Sequence, residues 1–260
     1  MHLAGREDRQ FRDMTARKTR RAKLCVFCLT RLAHEVEHVL PKSWYPATTP
    51  QTVQRVTVPA CGICNDEFEK AERAFAHPLL MALNPDVPHA KSLIEKHQSS
   101  WQSRHAPTEE EARRRDDRLR RIAKDVRYVL TPEDGRAYPR LAGRTPGGLH
   151  VTVSPAFQIE APVRQLIAAK FVRGFHYKEH KSTLPLDARI AFFWFDQFEE
   201  QVAADVRDVL MAVPYNERLA PALRYRAWRE EEYALWEFVL WEHFPFGALV
   251  LMPASDATKG

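Results

Sequence analysis

The chain has 260 residues, 45% hydrophobic and 28% charged, with a net charge of +5. That apolar content supports a substantial core in one large or two small domains, and no apolar run approaches bilayer length, so no membrane span is expected. The charged N-terminus lacks a following apolar stretch, which argues against a secretory signal and for a cytoplasmic protein.

Residues 1–24 come first, as a polar helix or arm. They carry eight basic side chains (Arg6, Arg9, Arg12, Arg17, Lys18, Arg20, Arg21, Lys23) against three acidic ones, which is the whole positive excess of the chain. Such an arm attracts phosphates in a salt-dependent way without reading bases, although charge runs are usually solvated faces. Residues 25–78 form the next unit. A short strand is expected near Val36 and Val39, then an irregular loop over 43–50 with Pro46 and Pro50. A second strand is expected near Val53, Val56 and Val58, then a helix from Asn65, which is placed to cap it. Phe68, Ala71 and Phe75 would share its buried face, and Pro78 would end it.

Residues 79–125 read as a helical connector. A short helix is expected around 91–97. A second opens with a capping box from Thr108 to Glu111 and is laced by Glu110–Arg114 and Glu111–Arg115 pairs. Residues 126–260 read as an α+β accessory domain, separate from the metal module, with an antiparallel sheet. Strands are expected over 126–130, 149–153, 189–195, 222–228, 233–241 and 248–252, and helices over 163–172 and 198–211. Gly174 reads as the C-cap of the first of these helices. The aromatic strands (Phe192, Phe193, Trp194, Phe195; Trp236, Phe238, Trp241) read as core. An oligomeric or protein partner would find its surface on this domain.

The chemistry is concentrated in residues 25–65. The chain has four cysteines, and they fall into two Cys-X-X-Cys hooks, Cys25/Cys28 and Cys61/Cys64. Two such hooks give one tetrahedral Zn²⁺ its four thiolates, and in a chain without a secretory signal they favour metal over disulfides. Between the hooks stands Glu37-His38-Val39-Leu40-Pro41-Lys42, and Asn65 follows the last cysteine. His38 has the near-neutral basicity of a general base. Glu37 and Asn65 offer hard oxygen to a divalent ion, and Lys42 can meet phosphate. Neighbours on a strand face opposite ways, so Glu37 and His38 share a site only where the strand ends or bulges. The run His34-Glu35-Val36-Glu37-His38 also spells the H-E-x-x-H pattern of zinc proteases. That pattern needs a helix, which Pro41 opposes.

These motifs, in this order, resemble the zinc-hook branch of the HNH endonucleases over residues 25–75. The middle asparagine of that family's pattern is absent; Gln54-Arg55-Val56-Thr57-Val58 occupies its region. The resemblance implies a ββα-metal fold and metal-assisted hydrolysis of nucleic-acid backbone, usually DNA, leaving a 3′-hydroxyl and a 5′-phosphate. It implies His38 as general base and Glu37 and Asn65 as ligands of Mg²⁺ or Mn²⁺. The four cysteines would hold structural zinc. A defence or mobile-element role follows by analogy alone. The alternative is a zinc-containing module that binds nucleic acid without cutting it.

Overall fold

A computed structural model describes residues 23–125, 127–130, 141–156, 158–195 and 200–253. The basic arm therefore lies outside the described residues except for Lys23 and Leu24. Among those described, the fold is mixed α+β with five α-helices and antiparallel sheets. No described helix is long and apolar enough to cross a membrane.

Strands β1 (Glu35–His38) and β2 (Thr57–Ala60) pair antiparallel, with Glu37 opposite Val58 and His38 opposite Thr57. Helix α1 (Gly62–Met81) follows at once. Its buried residues Cys64, Phe68, Ala71, Phe75 and Leu79 recur every three or four positions, the stripe that turns a helix onto a core. The N-cap is Cys61, so Asn65 lies inside the first turns and caps nothing. Pro78 lies within the helix, one turn before its end. Only the final turn follows it, and that turn tightens: the Ala82 amide donates to the Pro78 and Leu79 carbonyls.

Helices α2 (Pro88–Trp101) and α3 (Glu109–Asp125) form the connector. The Thr108 hydroxyl accepts from the Glu111 amide at 3.2 Å, and Arg115 pairs with Glu111 at 3.1 Å, as the capping box and charge spacing predict. Strands β3 (Arg127–Leu130), β4 (Leu141–Arg144) and β5 (His150–Ala156) make a three-stranded sheet in the order β3-β5-β4. Helix α4 (Ala161–His180) leads to β6 (Arg189–Phe193) and α5 (Glu200–Met211). Strands β7 (Asn216–Leu219), β8 (Leu223–Arg229), β9 (Tyr233–Leu240) and β10 (Phe244–Leu251) complete a five-stranded antiparallel sheet, ordered β6-β10-β9-β8-β7.

Two features differ from the sequence reading for one physical reason, the packing of α4 into the metal region. Gly174 is not a C-cap. The helix runs on to His180, and Lys181, with φ 58°, takes the left-handed turn. Gly174 sits in the helix because a Cβ there would lie 2.6 Å from Cγ2 of Val39, the residue just after β1. Nor are the described residues from Ile159 onward packed apart from the metal module. One buried cluster runs from Cys25 through Trp44 and Phe75 to Phe171, Phe238 and Val250. Trp44 packs on Phe75 with ring centres 5.9 Å apart and on Trp241 at 5.8 Å, and Trp241 Nε1 donates to the Trp44 carbonyl at 2.8 Å. Phe193, Trp236, Phe238 and Trp241 are buried, as core aromatics should be.

Candidate functional site

The first hook is a tight turn: the Cys25 amide donates to the Arg31 carbonyl at 2.8 Å, and the Leu29 amide to the Cys25 carbonyl at 2.9 Å. Leu29 takes φ 52° to close it. The Val26 amide donates to the Pro59 carbonyl at 3.0 Å, which fastens this hook to β2. The second hook is the start of α1, where exposed backbone amides favour thiolate. The four sulfurs lie within 4.8 Å of one another, and Cys28 and Cys61 are 3.9 Å apart. A tetrahedron with Zn–S bonds of about 2.3 Å has edges of about 3.8 Å, so the four thiols fit a zinc ion. They are free of disulfides.

Their electrostatics agree. Burial opposes ionisation of Cys28, but hydrogen bonds from Thr30 and the Arg31 backbone outweigh it and bring the thiol down to about 6. Burial likewise opposes ionisation of Cys61, yet the Cys64 backbone and Arg31 side chain lower it. Cys64 moves up, through burial first and then the neighbouring thiols. Crowded sulfurs that cannot all ionise alone are what a dication relieves.

Alternation along β1 sends Glu35 and Glu37 to the side of α1 and α4, and Val36 and His38 to the other. The strand geometry also disposes of the protease reading, since His34-to-His38 is extended chain, not helix. His38 is half-buried at the strand end. Burial holds its imidazole below the usual range, helped by the charges of Lys42, Arg55 and Lys170. It is therefore kept neutral, able to accept a proton, in a positive neighbourhood.

Glu37 and Asn65 occupy different surroundings. Asn65 Nδ2 donates to Glu35 Oε2 at 2.7 Å. Glu37 is buried, and its carboxylate binds the ammonium of Lys170 on α4, which is itself 0% exposed. The same ammonium binds Glu72 of α1 and lies 5.4 Å from the Phe68 ring. Glu72 is thus largely covered, whereas Glu67, on the same helix, is exposed. The two residues expected to share a divalent ion are engaged by different partners, and the cation at Glu37 is Lys170. In this arrangement the pair does not fit a divalent ion. Among the described residues, the four cysteines alone form a metal-ready cluster of three or more Cys, His or acidic ligands. Lys42 is exposed four residues beyond His38.

Lys170 is the residue that sequence reasoning missed. Its signal was a lysine among Ile167, Ala168, Phe171 and Val172, all fully buried. A cation on a helix's apolar stripe needs a buried counter-charge. No protein-family model, curated protein or solved structure matches this chain.

Proposed function

We propose that this protein is a zinc-stabilised nuclease that hydrolyses phosphodiester bonds of nucleic acid, most naturally DNA, with His38 as general base. The observation that carries the reading is the position of His38: a half-buried imidazole at the end of a hairpin, held below its usual range by burial and by the charges of Lys42 and Arg55. The hairpin is clamped to α1 by the four-cysteine cluster. Zinc bound there would be structural, fixing the two hooks and the elements that hold His38.

In the proposed reaction His38 takes a proton from water as the oxygen attacks phosphorus in line. The bond to the leaving oxygen breaks, and that oxygen takes a proton from solvent. Lys42, whose charge reaches His38, would offset the charge gathering on the phosphate oxygens. The Glu37–Lys170–Glu72 cluster holds β1, α1 and α4 together behind the imidazole.

The test is relaxation of supercoiled plasmid by the zinc-loaded chain, with and without Mg²⁺ or Mn²⁺, beside a folded His38→Ala variant. Cutting by the native chain alone supports the proposal; equal cutting by both removes His38 from the chemistry. The second reading, a zinc module that binds nucleic acid without cutting it, is favoured by the engagement of Glu37 with Lys170. It predicts salt-sensitive DNA binding and no strand cleavage under any of these conditions.

A further inference from the structure

A cavity of about 580 Å³ lies between the β1–β2 connection and α2, and two of its lining residues, Lys42 and Arg55, are the cations whose charge reaches His38. Lys42, Arg55 and Lys96 line it together with Tyr45 and Thr49, and no carboxylate does. Among the described residues, neither Lys42 nor Arg55 forms an ion pair with an acidic side chain. Arg55 sits over the Tyr45 ring at 5.4 Å, which holds the guanidinium in place.

The wall is built rather than incidental. Lys96 donates to the carbonyls of Lys42, Ser43 and Tyr45 at 3.4, 3.2 and 3.4 Å. Ser92 Oγ accepts from the Ala47 amide at 3.1 Å. Helix α2 thus staples the connection from below. Tyr45 is 4% exposed, and its hydroxyl has no hydrogen-bond partner; the Thr49 hydroxyl is buried and unpartnered as well. Buried hydroxyls without partners are uncommon and call for a ligand or an ordered water. The position follows from the hairpin. The Val39 amide donates to the Val56 carbonyl at 3.0 Å, so Lys42 and Arg55 leave the paired strands on either side of the His38–Thr57 end.

We propose that this cavity is an anion site that holds a backbone phosphate of the nucleic acid, with its attached sugar, next to the bond facing His38. It rests on the nucleic-acid reading above and adds Arg55 and Tyr45 to it as positioning residues. The cations supply charge, and a cavity of this size takes more than a bare phosphate. Contacts of this kind set register without reading sequence.

The experiment is fluorescence anisotropy of a labelled DNA duplex on the full zinc-loaded chain carrying His38→Ala, titrated at several salt concentrations. Each neutralised phosphate contact changes the log–log salt slope by about 0.9. Lys42→Gln and Arg55→Gln should each make the slope shallower by about that amount, and the double variant by about twice it. Lys42→Arg with Arg55→Lys should restore the slope. Tyr45→Phe should weaken binding and leave the slope unchanged. Lys91→Gln, on the exposed side of α2 beside Glu95, should change neither. An unaltered slope in the double variant, or no salt-dependent binding in the parent, overturns the proposal. Shallower slopes in a chain that never cuts plasmid would keep the anion site and discard the nuclease reading. Unaltered slopes in a chain that cuts would do the reverse.

Discussion

Two buried polar clusters lie against α1, and they solve the problem of burying charge in opposite ways. At one end of the helix, Cys25, Cys28, Cys61 and Cys64 bring four like donors together, and among the described residues Arg31 reaches their edge, 3.8 Å from Cys61 Sγ. Further along, Glu37 and Glu72 hold the chain's own cation, the ammonium of Lys170. The first cluster needs an external dication to be stable as thiolates. The second is closed by folding alone, and it ties the C-terminal half to the metal region. The same difference separates the two metal expectations: the cysteines fit zinc, whereas Glu37 is engaged by a lysine from far along the sequence.

The comparison is broken most severely at the cysteines. Cys64→Ser should lose about one zinc per chain and unfold residues 25–81, because structural zinc contributes on the order of 10 kcal/mol to such modules. Zinc content by metal analysis, read with circular dichroism, checks it. Retention of fold after chelation would contradict it.

At the second cluster, Lys170→Met should destabilise the chain by about 3–5 kcal/mol, since it strands two carboxylates in the interior. Replacing Glu37 and Glu72 by Gln in the same chain should recover much of that loss. Urea unfolding of the single and triple variants measures both, and a harmless Lys170→Met would mean the cluster does not hold the halves together.

A smaller effect is expected where α4 crosses β1. Gly174→Ala should cost about 1–3 kcal/mol through overpacking against Val39, and Val39→Ala should relieve it. A double-mutant cycle without coupling would disprove the contact.

The last effect is confined to acid pH and comes from two half-buried histidines. Burial brings His77 and His176 down to about 4, aided for His77 by Arg118 and for His176 by His180. Their unfolded forms take up protons near 6.5, so stability is full above that pH and declines as pH falls toward about 4. His77→Gln and His176→Gln should flatten that decline in thermal unfolding between pH 7 and pH 4. An unchanged decline would assign it to other groups.

Local rules made much of this legible in the chain. Hook spacing predicted that the four cysteines meet, Val36 and Val58 fall in the two strands of the hairpin although Val39, Val53 and Val56 lie outside them, and Thr108 with Glu111 marked the start of α3. What could not be read was set by distant partners. Gly174 looks like a helix terminator until Val39, from another part of the chain, is placed against it. Pro78 reads as a stop because its neighbours cannot show that only one turn remains. Glu37 next to His38 reads as a metal ligand because nothing local reveals Lys170, which lies 133 residues away. Strand alternation could be stated from sequence, but which face of β1 meets α4 could not.

The most direct measurement is single-turnover cleavage of a labelled DNA duplex by the zinc-loaded His38→Ala variant, with and without added imidazole. The account predicts a rate about 10²–10⁴-fold below native, partly restored by imidazole acting in place of the missing base. A rate equal to native, with zinc content and fold intact, would contradict the assignment of His38 as the base.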